Sequence, residues 1–275
     1  MNVARAIDGF LDALANTGLA VRSPSVLLPF FAFGAIQILL LTPIAFFAWG
    51  PIAGFMPAVV ETLGGDPALH YPTHFVLLPA TYRVVYLPLV ATVGFALWTL
   101  GVWSMIGHHE ASRRLPEHSF ARALPSIVIV GVVFVAVTVA VGRGLALVAA
   151  ELPPGMPTRA ATLAVIAVTA IVQALLVYAP VVLRLRGGGP WGAFRASVRY
   201  ATRHFGATAL LIGTVLMVHL PFDALIGNAD AIAGRFHPEA VYQLMIGSIV
   251  LEVVTAFVLF AGVVALAFPE EGGLR

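Results

Sequence analysis

The sequence predicts an all-α integral membrane protein with six spanning helices. Three observations predict it. The chain has 275 residues, of which 60% are hydrophobic and only 10% charged, with a mean hydropathy of +0.97; a soluble domain carries about a quarter charged residues. Six apolar runs reach the roughly 20 residues that a spanning helix needs, near 25–48, 82–106, 124–148, 161–184, 207–226 and 240–267. The arginines, finally, fall mostly in alternate connecting segments.

The elements follow in order. Residues 1–22 read as an amphipathic helix on the membrane surface. Val3, Ile7, Phe10, Leu11 and Leu14 share one helical face, and Arg5, Asp8, Asp12 and Asn16 share the other. Asp8 and Asp12 interrupt the position where a signal peptide would carry its apolar core, so no signal peptide is expected. The apolar stretch 75–106 is too long for one straight span and holds Pro79, Arg83 and Pro88. Residues 75–81 are therefore expected to form an entry segment, with the span beginning at 82. The stretch "PEHSFARALPS" reads as a short surface helix before the third span. Gly187, Gly188 and Gly189 break the chain after span four, and Pro190 suits a first helical turn. An interfacial helix is expected over 190–205, with Trp191, Phe194, Val198, Ala201 and Phe205 facing the acyl boundary and Arg195, Arg199 and Arg203 reaching headgroups. The pattern is that of one membrane domain, 1–275. It holds three hairpins of two spans, each preceded by an amphipathic surface helix.

All fifteen basic residues are arginine. With the N-terminus in the cytoplasm, eleven lie on the cytoplasmic side, including Arg113, Arg114, Arg122, Arg184 and Arg186. Arg83, Arg143, Arg159 and Arg235 lie outside. The positive-inside rule thus predicts an inner-membrane protein with both termini cytoplasmic.

The stretch "WGAFRASVRYATRHFGATALLIG", set before a hairpin in a six-span chain, resembles a loose group of bacterial membrane families of mostly unknown function. One relative of that group is the membrane domain attached to some glycerophosphodiester phosphodiesterases. The resemblance implies the six-span layout. It implies no phosphodiesterase activity, because no such domain is present, and it carries over no site residues.

Polar residues inside spans are the usual pointers to function. Gln37, Gln173, His219 and Glu252 stand out. Glu252 lies about 18 Å along a helix counted from Ala240, and Gln173 about the same distance from Ala161, which puts both near mid-bilayer. Two uses compete: a polar site centred on Glu252, or hydrogen bonds that fix helix packing. A charge cluster of Arg143, Glu151, Asp223, Asp230 and Arg235 reads as surface ion pairing between loops.

Asp66, His70 and His74 have the fourth-residue spacing of a zinc-binding helix face, but Pro67 and Pro72 stand against one helix through all three. His108, His109 and Glu110 read as a solvated turn. Without cysteine there is no disulfide, thiolate metal site or Cys nucleophile. With only His219 deep in a span, a bis-His haem is disfavoured. No cofactor motif is present, and a formal net charge of +2 gives no basic surface for nucleic acid. Gly94, Gly101, Gly213 and Gly247 thin the spans and allow close helix approach.

Two function classes are carried. The first is a non-catalytic membrane subunit or scaffold that docks other membrane proteins or further copies of itself, or organises anionic lipid. The alternative is a small-solute or proton-coupled transporter or channel built around Glu252, with Pro43, Pro88, Pro180 and Pro221 as helix breaks.

Overall fold

The computed structural model describes residues 3–20, 23–108, 118–150 and 158–268. Arg22, His109, Glu110, Arg113, Arg114, Glu151 and Arg275 lie outside these. The described residues are helical and contain no strand. Helices α1 (Val3–Ala20) and α2 (Pro24–Ala45) lead to the short α3 (Met56–Gly64) and a 3-10 turn (Asp66–Leu69). Next come α4 (Thr73–Leu89), a π-helical turn (Val90–Gly94) and α5 (Phe95–Gly107). Then follow α6 (Phe120–Ala150), α7 (Thr158–Leu176), α8 (Ala179–Arg186), α9 (Pro190–Arg203), α10 (Phe205–Ile226), α11 (Ala229–Arg235) and α12 (Ala240–Ala267).

Six helical stretches are long and apolar enough to cross a membrane. The chain is a multi-pass membrane protein. Their apolar character comes from runs with no polar stripe, as lipid on one side and protein on the other both demand.

Three features differ from the sequence reading. The second span is one stretch from Thr73 to Gly107, so residues 75–81 belong to the helix and are no separate entry segment. Pro79 and Pro88 sit inside α4 without ending it; neighbouring groups in a membrane protein can satisfy the few backbone groups a proline frees. The fourth span is carried by α7 and α8, with a brief break in the helix at Val177 and Tyr178. No separate surface helix stands before the third span among the described residues, because α6 begins at Phe120 and continues through Pro125.

The residues group into two compact units. One comprises Met1–Phe30, Val90–Leu216 and Ala256–Arg275. Phe30, Phe95, Ile106, Ile127, Tyr178 and Leu211 are fully buried in it. Phe30 meets the ring of Phe257 edge-on at 5.6 Å. Gly101 lets that packing close, since a Cβ there would collide with the Phe30 ring. Gly131 is equally tight, and there a Cβ would strike the backbone carbonyl of Ala91 in the π turn. In this unit Ser23 Oγ lies 3.1 Å from His108 Nε2, and His108 Nδ1 lies 2.7 Å from the Ser104 carbonyl, which ties the start of α2 to the end of α5.

The other unit comprises Phe31–Leu89 and Met217–Thr255. Its core gathers Leu41, Ile44, Met56, Phe75, Leu78, Tyr82 and Met245. Gly247 gives room to the Phe222 ring. Gly213 of α10, in contrast, faces open space, and Leu210, Met217 and Val218 of that helix are exposed.

Candidate functional site

Glu252 is on α12, and the side chains that meet it come from two other helices. Tyr86 Oη of α4 donates to its Oε1 at 2.9 Å. Gln37 Nε2 of α2 donates to its Oε2 at 3.2 Å. Tyr82, one turn before Tyr86, donates to the Gln37 carbonyl at 3.3 Å. Gln37 is fully buried, and its Oε1 has no hydrogen-bond partner. The carboxyl is thus held on both oxygens. Such a group fixes the rotation of three helices at once, because a desolvated carboxyl left unpaired is costly.

Of the four polar residues singled out in the sequence, Gln37 and Glu252 come together. His219 of α10 bonds Thr255 Oγ1 through Nε2 at 2.8 Å, nearly a turn beyond Glu252. Thr255 passes its own proton to the Leu251 carbonyl at 2.8 Å. Gln173 is half-buried on α7, in the other unit. Sequence reasoning missed Tyr82, Tyr86 and Thr255. The signal available was the fourth-residue spacing of the two tyrosines, which aims both hydroxyls to one side of α4.

The Arg-bearing helix α9 belongs to the first unit. Ala193, Ala196, Ser197 and Ala201 are buried, and Ser197 Oγ donates to the Leu175 carbonyl of α7 at 2.8 Å. The expected outward face differs at one residue, Ala201. The helix packs by its small residues, while Trp191 is 73% exposed and Val198 is also exposed. Ala201, assigned to the acyl-facing side, is buried. Small residues win the inner face because they allow close backbone approach to α7 and α8. Arg195, Arg199 and Arg203 are exposed and form no ion pair among the described residues. Burial first, and then the Arg203 charge, hold the neighbouring His204 below the ordinary imidazole range. Beside them Arg184 lies over Trp103 and Arg186 over Tyr200, at 5.4 and 5.9 Å from the ring centres.

Asp66, His70 and His74 do not form a ligand set. His70 Nε2 meets Asp66 at 3.2 Å on the exposed surface. The imidazole of His74 stacks on Phe75 at 4.0 Å and meets Phe47 at 5.5 Å. The 3-10 turn ends at Leu69 and α4 begins at Thr73, so the even spacing is not carried on one helix. Among the described residues, no three His, Asp or Glu side chains converge as a metal site requires. Next to His74 opens a cleft of about 630 Å³, lined by residues from the end of α2, the loop after it, the start of α4 and the start of α12.

Comparison with family models, curated proteins and solved structures returned no match to this chain.

Proposed function

We propose that the chain is a non-catalytic, polytopic subunit of a bacterial cytoplasmic membrane that gathers anionic lipid headgroups at the cytoplasmic leaflet. In this reading the spans form three hairpins, both termini are cytoplasmic, and α1 and α9 lie along the membrane surface. The bias of arginines between alternate segments supports the orientation.

The observation that carries the reading is the outward face of α9. Three arginines without ion-pair partners among the described residues stand beside an exposed tryptophan, while the opposite face is pinned to the bundle. A guanidinium presents a fork of donors that fits phosphate oxygens. Each such arginine near an anionic surface contributes about 1 kcal/mol, so three set a preference of about 3 kcal/mol. Trp191 suits the headgroup level, where an amphipathic ring is favoured. The ties on both oxygens of Glu252 support a packing role there over solute transport.

Replacing Arg195, Arg199 and Arg203 together by Gln tests the reading. Lipids retained through purification in maltoside would be weighed against protein. The variant should keep its fold and lose bound phosphatidylglycerol or cardiolipin. An unchanged lipid content would overturn the proposal in favour of a protein partner on α9.

A further inference from the structure

The cleft beside His74 has no part in the reading above, and its lining is unusual for the end of a membrane bundle. Phe46, Phe47, Trp49, Tyr71 and Phe75 supply aromatic walls, and the single charged group is Glu239. The rings are held by one another: Phe46 meets Phe75 edge-on at 6.0 Å, and Tyr71 meets Phe75 at 6.3 Å. Glu239 is half-buried, and its carboxylate has no hydrogen-bond or ion-pair partner among the described residues. No arginine lines the cleft. The unit as a whole carries Glu61, Asp66, Asp223, Asp230, Glu239 and Glu252 against only Arg83 and Arg235.

We infer that this cleft binds a bulky organic ammonium ion, with the cation among the aromatic faces and Glu239 as its counter-charge. Aromatic faces are the negative side of the ring quadrupole, and they attract a cation that is weakly hydrated. A half-buried carboxylate in the same wall supplies the opposite charge. The volume of about 630 Å³ suits a drug-sized molecule, for which sites span roughly 300–1,000 Å³. A hydrated metal ion does not fit this lining, since it needs several oxygen ligands and the cleft converges one carboxylate. A neutral apolar chain would fill the walls but leave the carboxylate desolvated and unpaired. The occupant that satisfies both features is an ammonium with apolar substituents.

Benzyltrimethylammonium is a suitable probe, and neopentylbenzene is its uncharged carbon isostere. Equilibrium dialysis of the full chain in maltoside, against protein-free micelles, would measure uptake. The cation should bind saturably, one per chain. Glu239→Gln should weaken it by about tenfold or more and leave uptake of the isostere unchanged. Should Glu239→Gln not fold, Trp49→Leu carries the same test. Trp49 is largely exposed, so its loss spares the core while removing one aromatic wall. The inference is overturned if uptake of the cation does not exceed the micelle blank. It is equally overturned if the isostere binds as tightly as the cation, or if Glu239→Gln, or Trp49→Leu in its place, leaves cation binding unchanged.

Discussion

Replacing Glu252 by leucine removes two hydrogen bonds and strands two buried donors, the Tyr86 hydroxyl and the Gln37 amide. Each orphaned group costs about 1–3 kcal/mol in a dry site. Interhelical hydrogen bonds measured in membranes average nearer 0.6 kcal/mol, because the unfolded chain in lipid also finds partners. Taken between these limits, Glu252→Leu should destabilise by about 2–3 kcal/mol. Glu252→Gln should behave differently. Its carbonyl oxygen can still accept from Tyr86. Its new amide would face the Gln37 amide, but Gln37 carries an unpartnered Oε1 and can turn over to present it. The glutamine variant should therefore stay within about 1 kcal/mol of the wild type. Unfolding in mixed micelles at graded SDS measures all three proteins. A double-mutant cycle with Tyr86→Phe isolates the contact, and the two losses should not add. If Glu252→Leu is as stable as the wild type, or strictly additive with Tyr86→Phe, the clamp is not what holds these helices and the reasoning fails.

Other outcomes follow from single contacts. Gly131→Ala should destabilise by about 1–3 kcal/mol through overpacking, since its methyl would press on the Ala91 carbonyl. Gly213→Ala, in open space, should stabilise α10 by about 0.5–1 kcal/mol, and the same unfolding assay separates the two. Tyr178→Phe removes a buried 2.7 Å bond to Thr208, whose own proton goes to the His204 carbonyl, so the loss should be about 1 kcal/mol. In the cysteine-free chain, Glu61→Cys should react with an impermeant maleimide in intact cells and Gly189→Cys should not; the reverse pattern would invert the proposed topology.

The six spans were legible because lipid tolerates few residue types over twenty positions, so length and composition suffice to find them. What fails is anything that depends on rotation about a helix axis. Gln173 has the depth of Glu252, yet depth says nothing of which neighbour a side chain faces. Tyr82 and Tyr86 looked like further apolar bulk, and only the position of α2 makes them donors to the Gln37–Glu252 pair. On α9 the spacing picked out the large residues, and nothing in it marked Ala193, Ala196 and Ser197 as the side that packs on the bundle. Pro79 read as a boundary because proline ends helices in water, a rule that membranes relax. The cleft was invisible for a related reason. Its walls come from segments thirty to two hundred residues apart, and no local spacing links Phe46 to Glu239.

The π turn at Val90–Gly94 sits in the middle of the longest span, where the chain passes from one unit to the other. It accommodates one residue more than an α-helical turn, and one residue is about 100° of rotation. Before the turn, Tyr82 and Tyr86 meet the Gln37–Glu252 pair; after it, Trp103 Nε1 donates to the Pro180 carbonyl. Removing a single residue there would barely change length and hydropathy, yet it would shift the helical register by about 100°. In this stretch of the chain, a deletion should be harsher than almost any substitution.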